Sequence, residues 1–120
     1  MRGASALAQL LREHPSPSLR LFVVWEPVLP SDRAPPAPAL VSQLADARAE
    51  LFWDPSRLVS RAIEARGEHD PGFDVWRDGT IWDTELVFAR GALWQAQFPP
   101  HTHAGSNVID DVPVIGKELP

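Results

Sequence analysis

Apolar positions along this chain change their spacing several times, and each change predicts an element. Leu7, Leu10 and Leu11 fall at helical spacing within residues 4–13, and His14-Pro15-Ser16-Pro17 ends that pattern. Leu19 to Trp25 is then a near-continuous apolar run rich in Val and Phe, the pattern of a strand covered on both faces. Glu26 to Pro38 contains five prolines and reads as loop. A helix from about Ala39 to Asp46 follows, with Leu40, Val41 and Leu44 as its stripe.

Ala49 to Trp53 predicts a second strand. Asp54-Pro55 suits a helix start, with an N-cap carboxylate and a proline at N1. Leu58, Val59, Ala62 and Ile63 mark that helix's inner face, and Gly67 is its expected end. Glu68 to Thr80 is polar and rich in turn signals. Ile81 to Ala89 and Ala92 to Phe98 read as two strands of a hairpin about Arg90-Gly91. A final helix is expected from Ser106 or from Asp110-Asp111. The predicted class is α/β: an N-terminal helix followed by βαβαββα, with a mixed central sheet in one domain over residues 1–120.

Composition narrows the partners. The net charge is −5 and no arginine cluster forms a basic stripe, which argues against nucleic acid and anionic membranes. The longest apolar run, Leu21 to Trp25, is far short of a membrane span. Gln9, Arg12 and Glu13 interrupt any signal-peptide core, so a cytoplasmic location is the expectation. There is no cysteine, and nothing in the chain demands an oxidising compartment. No cofactor motif is present: the serines lack the Gly-x-Ser-x-Gly elbow, and there is no glycine-rich phosphate loop.

The stretch Val24-Trp25-Glu26-Pro27-Val28-Leu29-Pro30-Ser31-Asp32 resembles the loop of thioredoxin-like proteins, where a strand and Trp-x-Pro precede a Cys-x-x-Cys pair. With Phe52-Trp53-Asp54 it is also similar to a group of uncharacterised bacterial thioredoxin-like proteins that carry Trp-Glu-Pro, two apolar residues, Pro, Ser or Thr, and Asp. The resemblance implies a thioredoxin-like fold with Leu29 and Asp32 at the cysteine positions. Neither side chain supplies a thiolate, so thiol–disulfide exchange is excluded for this chain's own residues. The proline that thioredoxins place before the third core strand is also missing from Ile81-Trp82-Asp83-Thr84.

A non-redox module that binds a protein or small molecule is therefore the leading expectation. Its candidate residues are Trp25, Glu26, Asp32 and Arg33, on a loop at the carboxyl end of a parallel strand where α/β sheets commonly hold ligands. Phe73 and Trp76 in the polar 68–80 segment are the candidate aromatic anchors. The plainer reading has Glu26 pairing with an arginine, Asp32 capping a turn and Trp25 filling core. Trp53, Trp82 and Trp94, on predicted strands, are expected to be core as well. The alternative is a small metal-dependent or acid–base enzyme using His101 and His103, or Glu26 and Asp32. Residues i and i+2 of an extended segment share a face, and a third ligand would come from His69, Asp70, Asp110 or Asp111.

Overall fold

The structure, a computed structural model, describes residues 2–69 and 81–120, and of 67–69 the backbone alone. Phe73, Trp76, Asp70 and the side chain of His69 lie outside the described residues. Within them the chain forms helix α1 (Arg2–Glu13), strand β1 (Leu21–Trp25), a short helix α2 (Pro38–Val41) running into a 3-10 turn (Ser42–Leu44), and strand β2 (Ala49–Trp53). Helix α3 (Leu58–His69), strands β3 (Glu85–Val87) and β4 (His103–Gly105), and helix α4 (Val108–Glu118) complete it. Among the described residues this is an α/β fold with four helices and two small sheets, and no helix there is long and apolar enough to cross a membrane.

β1 and β2 pair in parallel, with Leu21 opposite Ala49 and Trp25 opposite Trp53. The apolar run at Leu21 thus acquires a same-direction neighbour through the proline loop and the α2 crossover. The expected helix over 39–46 is shorter and tightens to 3-10 geometry at Ser42, whose hydroxyl donates to the Ala39 carbonyl at 2.9 Å. At Asp54-Pro55 the helix does not begin at once. Arg57 adopts a left-handed conformation (φ 54°), which breaks helical continuity, and α3 starts one residue later. Asp54 nonetheless accepts a hydrogen bond from the Val59 amide at 2.9 Å, so its capping role survives the displaced start. Gly67 does not stop α3, which continues to His69.

The second half departs further from expectation. Among the described residues, two separate two-stranded sheets stand in place of the single mixed sheet. The 81–89/92–98 hairpin does not form, although its turn does: Gly91 has φ 82° and the Ala92 amide donates to the Ala89 carbonyl. Instead β3 pairs antiparallel with β4, with Glu85 opposite Gly105 and Val87 opposite His103. Pro99 and Pro100 offer no amide donors, and pairing resumes where donors return, at Thr102 N to Val87 O (2.7 Å). Residues 92–98 fold back by side chain, with the Phe98 ring edge-on to both Phe88 and Trp94. Trp82 and Trp94 are accordingly exposed rather than core, while Trp25 and Trp53 are half-buried.

Apolar packing is divided. α1 packs against α4 and the 3-10 turn, burying Leu10, Leu11, Leu44, Val108 and Ile115. A second cluster joins Ile63 and Ile81 with Val59, Leu86, Phe98 and Ala104. Arg48 ties the first region to the sheet. Its guanidinium donates to the Leu11, His14 and Ser16 carbonyls at the C-terminal end of α1 and pairs with Asp46 at 2.7 Å. Four carbonyls at a helix end lack intrahelical partners, and a cation there also opposes the negative end of the dipole.

Candidate functional site

The loop expected to carry a site spends its polar groups on backbone. Asp32 accepts from the amides of Val28 (3.1 Å) and Leu29 (2.7 Å), which closes the turn that follows Pro27. Arg33 donates through Nε to the Pro30 carbonyl at 3.1 Å. Glu26 reaches out of the loop to α3, where it accepts from the Ser60 amide at 3.0 Å and from the Ser60 hydroxyl. Glu26 and Asp54 together satisfy two of the amides that the first turn of α3 leaves without intrahelical acceptors. Trp25 is half-buried, and its indole N–H has no acceptor among the described residues. Both loop carboxylates are thus committed to backbone amides, Glu26 at the start of a helix and Asp32 within a turn.

A different group converges in the second sheet. Glu85, His103 and Asp111 each offer one ligand atom, and these atoms lie within 4.8 Å of one another. Sequence position explains the meeting. Glu85 opposes Gly105 in the β3–β4 register, and His103 lies two residues from Gly105, hence on the same face and diagonal to Glu85. Asp111 comes from the first turn of α4, three residues after buried Val108 and four before buried Ile115. That spacing puts it on the inward stripe of the helix. Gly105 makes the space: a Cβ there would overlap carboxylate oxygens of both Glu85 and Asp111.

The site's electrostatics follow from that crowding. Both Glu85 carboxylate oxygens and His103 Nε2 are shielded from solvent, and no N–H or O–H of the described residues donates to the Glu85 oxygens. Burial first, then the adjoining carboxyl of Asp111 and the charge of Asp83, push the Glu85 carboxyl up to about 8. Asp111 moves the other way, held below the usual carboxylate range by a hydrogen bond from the Glu85 carboxyl, by backbone hydrogen bonds at Asn107 and Ser106, and by the charge of His103. The pair thus shares one proton near neutral pH, kept on Glu85 and donated to Asp111. A divalent cation is the other species that answers two carboxylates and an imidazole in contact.

Of the expected metal residues, the structure brings His103 and Asp111 together, and Glu85 joins them; His101 is outside this group. Asp110 lies beside Asp111 but turns to the Asn107 side-chain amide at 2.6 Å. Glu85 escaped the sequence reading because its expected partner strand was the wrong one. Asp111 carried a readable signal, a carboxylate on the apolar stripe defined by Val108 and Ile115. Compared with protein-family models, curated proteins and solved structures, the chain matches none.

Proposed function

We propose that this chain is a non-redox binding protein for a divalent first-row cation, held by Glu85, His103 and Asp111. The observation that carries the reading is the convergence of three ligand atoms from the half-buried side chains of Glu85, His103 and Asp111, with the Glu85 oxygens and His103 Nε2 shielded from solvent, over a glycine that leaves them room. Three ligands at ~2.0–2.2 Å from one ion stand about 3.4 Å apart, so side-chain rotations close the present spread. One imidazole with two carboxylates favours zinc, manganese or ferrous iron over soft cuprous copper, for which thiolates would be needed. Three protein ligands leave a fourth position for water or a small anion. The thioredoxin-like resemblance belongs to the same reading; it is supported by the parallel β1–β2 pairing across the Trp25–Asp32 loop, while the second sheet lends it nothing.

The test is titration of chelator-treated protein with Zn²⁺ and Mn²⁺ at pH 8, followed by calorimetry and by metal analysis after desalting. One cation per chain is expected, with affinity reduced by tenfold or more in His103→Ala and in Asp111→Asn. Absence of saturable binding, or equal binding by these variants, rejects the proposal. Binding should also raise the melting temperature, with stabilisation growing as the logarithm of the ligand excess over the dissociation constant.

A further inference from the structure

The three cation ligands sit on elements that short contacts hold together: Glu85 on β3, His103 on β4 and Asp111 in the first turn of α4. β3 and β4 have three residues each, and an isolated two-stranded pair is marginal in water. Leu86 and Ala104 give them partial cover against the Ile63–Ile81 cluster. α4 rests on α1 through buried Val108 and Ile115, and Pro113 between them removes one hydrogen bond from the helix. The other sheet is better secured. β1 and β2 have five residues each, and Arg48, whose carbonyl accepts from the Leu21 amide, fastens their end to the carbonyls that close α1.

Without a cation this arrangement carries a local cost. The Glu85 oxygens are shielded from solvent and no N–H or O–H of the described residues donates to them. Lifting the first turn of α4, or parting β3 from β4, returns those oxygens to water. With a cation in place, the same movements must break a bond between the ion and a ligand. The free energy of binding is then added to the free energy of opening for these elements. Parting β1 from β2 leaves all three ligands in place, since none lies in that sheet. At a free cation concentration about 100 times the dissociation constant, states that have lost the site become about a hundredfold rarer.

We propose that the cation, at the site on which this inference rests, is a latch: it fastens β3, β4 and α4 as one unit that in metal-free protein opens separately from β1–β2. The test is amide hydrogen exchange of the full-length chain, followed by NMR with chelator or with Zn²⁺ at about 100 times the dissociation constant found by calorimetry. The Thr102 amide, which donates to Val87, and the Asp111 amide, which donates to Asn107, report the latched unit. The Leu21 amide, bonded to Arg48, and the Asp54 amide, bonded to Trp25, report the other sheet. In metal-free protein the first pair should exchange faster. Zn²⁺ should slow that pair about a hundredfold, and by about tenfold or more beyond any slowing of the second pair. Asp111→Asn should reduce the slowing to about tenfold or less, in step with its weaker binding. Saturable Zn²⁺ binding that leaves the first pair unchanged, or slows both pairs equally, overturns the latch and leaves the cation site standing. Absence of Zn²⁺ binding in the calorimeter overturns both.

Discussion

Replacing Glu85 with glutamine isolates the shared proton at the second sheet. In metal-free protein the native state holds that proton up to about pH 8, whereas an unfolded glutamate releases it near 4.5. Between these values the folded state binds more protons than the unfolded chain, so this contribution is full below about pH 4.5, is lost as pH rises to about 8 and is level above it. Converted in full, the difference corresponds to about 5 kcal/mol. The Glu85 side chain is only half-buried, and solvent screening reduces this to about 2 kcal/mol. Asp111 contributes with the opposite sign, but its lowered value places that loss below pH 4, outside the window. Glutamine imitates the protonated acid, with an amide N–H to donate to Asp111. Glu85→Gln should therefore match the native protein at pH 5 and exceed it by about 2 kcal/mol at pH 8.5. Urea denaturation with a chelator present, at pH 5, 6.5 and 8.5, reads the difference directly. Subtracting the two profiles removes the histidines and every other group the proteins share. Parallel profiles across the whole range would show that Glu85 ionises normally and would refute the reasoning.

Two further outcomes follow from particular contacts. Gly105→Ala drives a methyl group into the oxygens of Glu85 and Asp111, so it should cost about 1–3 kcal/mol in thermal denaturation and abolish Zn²⁺ binding in calorimetry. Asp46, held at about 2 first by side-chain and then by backbone hydrogen bonds from Arg48, should titrate closer to 3.8 in Arg48→Gln, as followed by the NMR shift of its carboxyl carbon. Its stabilising contribution is present above the unfolded value and is lost as pH falls from about 4 to about 2, and the variant should lack that acid dependence.

What the sequence determined by itself is local or strongly patterned. The apolar run at Leu21–Trp25 and the segment Ala49–Trp53 form strands, and they lie side by side in the same direction. α1 and the body of α3 follow their apolar spacing, and Asp54 serves the start of α3 even though the left-handed Arg57 delays it. The absence of cysteine by itself rules out thiol–disulfide exchange by this chain's own side chains. Tertiary structure decided the rest, because it depended on pairing between distant short segments. β3 and β4 span only three residues each, too few for alternation to select a partner, and the donors available after Pro99-Pro100 chose the register. That register places Glu85 over Gly105 and diagonal to His103, while the turn of α4 brings in Asp111. Carboxylates tell the same story: Glu26 and Asp32 looked chemically equivalent to Glu85 and Asp111 in the chain. Only folding supplied amide donors to the first two and withheld them from Glu85, and carboxylate oxygens shielded from solvent without donors favour a proton or a cation.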